Sequence, residues 1–216
     1  MRGIAQRRGH ACRDFYRLGA RVFSRRRPDR VLWGEVPADP LEARLLAGTG
    51  NRTAAAIESL DQVTIGAVNG LAIGGAVVFL ACMDLRIAAE TAWFSIPEID
   101  IDIPLTWNGL PKLMRELGPA RTKELVMTGD RFSARDALAW GFLNRLSAEN
   151  EVLATARSLA ARLLAKDRMS LALTKSTTRA LANMMVPSEV THSDREYLML
   201  ATMLAAQKKA KSGEIA

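Results

Sequence analysis

The densest apolar pattern in the chain runs over residues 63–89, VTIGAVNGLAIGGAVVFLACMDLRIAA. VTIGAV is a short β-branched run and predicts a buried strand. Asn69-Gly70 predicts a turn, and Gly74-Gly75 follow four residues later. AVVFLACM is apolar on every face and predicts a buried helix. LRIAA, after Asp84, predicts a second strand. The unit is therefore strand, glycine turn, buried helix, strand.

The flanking patterns are weaker but readable. Thr53 predicts a cap for a short helix through Leu60. Residues 92–96, AWFSI, predict a short strand ended by Pro97-Glu98, and residues 99–104 alternate in a way that predicts extended chain. Residues 107–117 predict a helix stopped by Gly118-Pro119. A second helix is expected over 121–127, with Gly129 as its stop. Ser133 and Asp136 predict a capping box for a helix ending at Gly141. Residues 142–146, FLNRL, predict a final strand. Three helices follow, over 152–164, 169–184 and 188–208, the last opened by Pro187, with a frayed tail after it. Their heptad-like apolar spacing predicts packing rather than a cofactor site. Strands alternating with helices, then helices alone, argue for an α/β core with a helical C-terminal layer. The expected division is 1–52, 53–146 and 147–216.

Composition changes this picture only at the front. Apolar content of 49% and charged content of 25% are ordinary for a globular chain, and 216 residues can bury one good core. Residues 1–52 hold twelve arginines, no lysine and five acids, so they carry the whole excess of +7; the remaining 18 bases and 18 acids cancel. Little periodicity is visible there, and neither an amphipathic helix nor an alternating strand is expected. Three readings stay open: a basic disordered arm for nucleic acid or a membrane surface, a targeting peptide that lacks an apolar core, and a stretch never selected to fold, such as GC-rich DNA gives out of frame or ahead of a true start. No nucleic-acid partner is expected, because the basic excess is confined to this segment. Cys12 and Cys82 make no disulfide framework, and His10 and His192 stand far apart, so no metal site is expected. The longest apolar run is too short to cross a bilayer.

Candidate chemistry centres on the glycines. Without a Cβ, the backbone at Gly74-Gly75 allows close approach of a ligand. The first N–H groups of a helix lack internal partners and lie at the positive end of its dipole. Such a turn stabilises negative charge on a ligand oxygen; tight helix–strand packing is the alternative use of the same glycines. No Lys follows them, which excludes a Walker loop, and the GxGxxG fingerprint is absent.

Three separated segments, AVNGLAIGGAVVFLACMDLRIA, FSIPE and ELVMTGDRFSARDALAWGFLNRL, resemble the enoyl-CoA hydratase/isomerase (crotonase) family in order and spacing. The resemblance runs from about Ala55 to the end of the helical region. It implies a spiral of ββα repeats with C-terminal helices that make trimers, a cytoplasmic enzyme of fatty-acid metabolism, an acyl-CoA substrate and no metal or redox cofactor. It implies Gly75 as the backbone donor to an enolate oxygen, Glu98 as an acid/base carboxylate, and Gly74, Ala72 and Trp107 as substrate-binding positions. A buried carboxyl at a strand end would have its pKa raised toward neutrality.

Departures from the family pattern matter equally. Val78 stands where the family has its second glutamate. One carboxylate suits proton shuttling between carbons better than hydration. Leu105-Thr106-Trp107-Asn108 replaces a glycine-rich turn. Asp100 and Asp102 offer a substitute carboxylate or, more simply, a solvated acidic edge. The family's first strands and second oxyanion donor have no match in residues 1–52. Loss of one oxyanion donor costs about 10²–10³ in rate, and loss of one acid/base about 10²–10⁴. An N-terminally truncated or frameshifted member is expected, with impaired hydratase activity and an uncovered apolar surface. A catalytically inactive subunit, assembling with intact relatives or with a chain that supplies the N-terminal half, is the alternative.

Overall fold

The computed structural model describes residues 37–187, 191 and 193–212. Two short helices come first, α1 (Pro40–Ala47) and α2 (Thr49–Glu58). Then come β1 (Ile65–Val68), β2 (Leu71–Ile73), α3 (Gly75–Ala81), β3 (Leu85–Ala89) and β4 (Trp93–Ser95). A 3-10 turn (Pro97–Ile101) leads to α4 (Gly109–Thr128), β5 (Phe132–Ser133), α5 (Ala134–Ala139) and β6 (Arg145–Ser147). Three helices close the chain: α6 (Val152–Leu164), α7 (Arg168–Met185) and α8 (Asp194–Ser212).

The strands form two three-stranded sheets. One has the order β1-β3-β6 and is parallel throughout. The other has the order β2-β4-β5, with β2 and β4 parallel and β5 antiparallel. The main core draws on both sheets and on the helices, and in it Val77, Val78, Ile87, Phe94, Ile96, Leu113 and Phe142 are fully buried. Phe94 stacks on Phe132 with ring centroids 5.2 Å apart and meets Phe142 edge-on at 6.1 Å. Cys82 is buried in a second, smaller cluster with Ala54 and Ile57, and burial pushes its thiol up to about 12.

Helix α7 is attached differently. Lys175 is its one buried residue. The Lys175 ammonium donates to Asp84 Oδ2 at 2.7 Å and to the Gln62 carbonyl at 2.8 Å. Met169, Leu173, Leu181, Met184 and Met185 along the same helix are exposed. No helix among the described residues is long and apolar enough to cross a membrane.

Several expectations are corrected. Helices occupy residues 40–52, where no regular element was expected. Asp39 caps α1 by accepting from the Leu41 N–H at 3.2 Å, and Pro40 opens it. Thr53 is not a cap but an interior residue of α2, its hydroxyl donating to the Thr49 carbonyl. The strands β2 and β5, three and two residues long, were not expected. Residues 97–101 coil instead of extending, and their alternation marks no buried face, because Ile99 and Ile101 are 50% and 45% exposed. The expected stop at Gly118-Pro119 holds: Gly118 (φ 74°, ψ 167°) leaves helical geometry and divides α4 into two helical arms. The last helix opens at Asp194 rather than Ser188, which lies outside the described residues, as do the Arg-rich residues 1–36 and the final residues 213–216.

Candidate active site

Parallel pairing builds the site. Because Ile73 is in register with Ser95, β2 and β4 end side by side. The residues that follow each strand therefore share one end of the sheet, the end at which parallel α/β sheets place ligands. Gly74 follows β2, and its N–H donates to the Ser95 carbonyl at 2.8 Å. Glu98 follows β4 on the 3-10 turn, which is closed by Ile103 N–H onto the Glu98 carbonyl at 3.0 Å.

Gly74 has φ 58° and ψ −123°, a conformation that side chains rarely adopt. It also has no room for one: a Cβ there would lie 2.5 Å from Glu98 Oε1. The glycine thus serves both the turn and the carboxyl beside it. Gly75 is the first residue of α3, so its N–H has no partner inside the helix.

Glu98 is the unusual charge of this region. Its Oε2 is buried and makes no hydrogen bond. Burial pushes its pKa from 4.5 up to about 7, against the lowering effect of a backbone hydrogen bond within the residue. A carboxyl in this state gives and takes a proton near neutrality.

Trp107 forms the other wall. A Cβ on Gly75 or on Gly50 would overlap the indole, so the ring lies directly against both glycines. Phe79, one helical turn beyond Gly75, stacks on it with centroids 5.2 Å apart and planes 17° apart. Glu98 and Trp107 therefore flank the leading end of α3. Ala72 stands two residues ahead of the turn with its methyl buried in the core, 4% exposed. Val78 is fully buried and brings no carboxyl to the site. Asp100 and Asp102 are exposed, and Asp100 lies against Gly129. Among the described residues no cluster of His, Cys, Asp and Glu is placed to hold a metal ion.

Residues 41–215 match the family model for enoyl-CoA hydratase/isomerase. The chain belongs to the enoyl-CoA hydratase/isomerase family. Its match begins at residue 41 rather than near Ala55, so α1 and α2 are part of the family unit. It is 34% identical over 136 residues to a crotonyl-CoA hydratase of Syntrophomonas wolfei, covering 63% of this chain and 52% of that one. It is 38% identical over 130 residues to a carnitinyl-CoA dehydratase of Salmonella typhi, covering 60% and 50%. The chain thus spans about half the length of the curated relatives it matches. Among solved structures, a putative enoyl-CoA hydratase/isomerase from Acinetobacter baumannii superposes with a TM-score of 0.65 at 28% identity, over 72% of this chain and 68% of that one. An enoyl-CoA hydratase from Mycobacterium avium subsp. paratuberculosis superposes at 0.68 with 24% identity, over 76% and 66%, and speaks for the fold alone.

Sequence reading singled out Gly74, Gly75, Glu98 and Trp107, and the structure brings these four together. It missed Gly50 and Phe79. Gly50 was hidden in a stretch read as one compositional block, and Phe79 was read only as helix core.

Proposed function

We propose that this chain is an acyl-CoA-processing member of its family, with Glu98 as proton carrier and the Gly75 amide as donor to the thioester oxygen. In an isomerase-type cycle the Glu98 carboxylate removes a proton from C2 of a 3-enoyl thioester. The electron pair moves into a dienolate whose oxygen is met by the Gly75 N–H. The Glu98 carboxyl then returns the proton to C4, leaving a 2-enoyl thioester and a regenerated carboxylate. A single carboxyl suffices for this exchange, which favours isomerisation over hydration in a chain that has Val78 in place of a second acid/base. The observation that carries the reading is the buried Glu98 oxygen without a partner, beside the glycine turn.

Fatty-acid metabolism in the cytoplasm is the setting this chemistry suits. The exposed apolar residues of α7 support assembly with further copies or with related chains. A second reading, a non-catalytic subunit of the same fold, draws support from Val78 and from the indole seated on Gly75.

The test is turnover of 3-hexenoyl-CoA and crotonyl-CoA by the purified chain. Glu98→Gln is the control. Isomerisation that falls to background in the variant, with a wild-type pH limb near 7, supports the enzyme. Equal rates for the two proteins would leave the non-catalytic subunit standing.

A further inference from the structure

Trp107 and Asn108 both have left-handed backbone, φ 63° and 54°. Asparagine tolerates this region, whereas a bulky residue enters it only when its surroundings hold it there. The local helix does not supply the reason. Asn108 is the N-cap of α4, a position at which its side chain ordinarily accepts from the first turn. It makes no such bond. Its Oδ1 instead accepts from Thr191 Oγ1 at 2.6 Å and from Asn51 Nδ2 at 3.4 Å. Its backbone N–H donates to Asp194 Oδ2 at 2.7 Å. Asp194 opens α8, 86 residues further along the chain, and is only 5% exposed. A turn whose capping side chain faces Thr191 and Asn51, and whose amide is held by a distant carboxylate, breaks a local rule beside a candidate site.

We infer that Asp194 is a positioning residue: by holding the Asn108 amide, its carboxylate seats the Trp107 indole against Gly75 and so fixes the wall beside the thioester's oxygen site. Three residues shape the seat. Gly50 and Gly75 leave room for the ring, and Phe79 lies flat on it. The C-terminal helix α8 thereby reaches the leading end of α3 through one hydrogen bond. The role in acyl-CoA binding rests on the proposed function; the role in seating the indole does not.

The experiment labels the full chain with 5-fluorotryptophan and follows fluorine NMR. The sequence has four tryptophans, and Trp107→Phe assigns the signal of interest. Asp194→Ala is expected to move or broaden the Trp107 signal. Asp194→Asn, whose amide oxygen still accepts from Asn108, is expected to leave it in place. An unchanged Trp107 signal in Asp194→Ala overturns the inference. Should that variant fail to fold, hydrogen exchange in the unaltered protein decides: the Asn108 amide is expected to exchange about 10- to 100-fold more slowly than an open-chain amide, and exchange at the open-chain rate overturns the inference. Titration with crotonyl-CoA separates the two layers. Binding weakened about three- to tenfold in Asp194→Ala and restored in Asp194→Asn supports the wall. Equal binding to wild type and Asp194→Ala overturns the wall while leaving the seat. No binding by any variant, with the Trp107 signal still displaced, sustains the seat and overturns the acyl-CoA reading.

Discussion

Two glutamates near α3 have opposite surroundings. Glu58, at the end of α2, accepts from the Lys112 ammonium at 2.6 Å and from Arg115 at 2.9 Å. Arg179 of α7 donates to its main-chain carbonyl. Glu98 has one oxygen pressed on a glycine and the other without a donor. The first carboxylate ties α2 to α4 and its carbonyl ties α2 to α7, and the charge is answered in full. The second meets no cation, and its Oε2 is left without a donor. Compensated carboxylates make architecture; an uncompensated one beside a helix's leading end makes chemistry.

Exchange of Glu98 for Gln gives the largest expected effect. It should lower isomerisation by about 10²–10⁴ while circular dichroism shows an unchanged fold. Ala at Glu58 should do the reverse. It leaves Lys112, 2% exposed, facing no anion, and should lower unfolding free energy in urea by about 3 kcal/mol, the lower end for a broken buried pair because Glu58 keeps 20% exposure. Its effect on the site should be small. If Glu58→Ala abolished turnover in a folded protein, or Glu98→Gln unfolded it, the division of labour would be wrong.

Next comes pH. Burial raises the Glu98 pKa from 4.5 to about 7, so the folded state holds this proton more tightly than the unfolded chain. Its stabilising contribution is complete below pH 4.5 and is lost as pH rises through 7, by about 3 kcal/mol in all. Melting temperatures of wild type and Glu98→Gln should therefore converge in acid and part toward neutrality, with the variant the more stable. Asp194, also raised by burial, contributes a slope of the same sign to both proteins and cancels in the difference. The smallest effect belongs to a double change. Adding Lys112→Met to Glu58→Ala should recover about 1–2 kcal/mol in the same urea titration, since an apolar side chain fills the site without an unpaired charge.

Legibility in the sequence followed the range of the forces involved. Strand β3 falls on the expected LRIAA, α6 on the expected 152–164, and the Ser133–Asp136 capping box closes as its spacing required. Each is specified within a few residues. The short strands β2 and β5 are specified by partners far along the chain, and three or two residues carry no period. The alternation in residues 99–103 misled because it does not mark one buried face. Asp39-Pro40 carries the start signals of α1, but only eight residues of helix follow, too few for a clear period beside the arginine clusters. At the site, glycine chemistry and the proline-glutamate step were visible in the residues. The indole's seat was not, because Gly50, Phe79, Trp107 and Asp194 meet only after α2, α3, α4 and α8 have packed.

Arg86 sets a condition on how the chain is made. Its buried guanidinium sits 4.9 Å over the Phe142 ring and donates to the carbonyls of Phe142, Leu80 and Met83 and to Glu116. Two of those acceptors, Glu116 and Phe142, have not yet emerged when β3 leaves the ribosome. Until Phe142 emerges, burial of β3 would strand a cation away from water. Nascent chains that stop short of that residue should therefore stay open and be degraded or held by chaperones, and the parallel sheet should close late in synthesis.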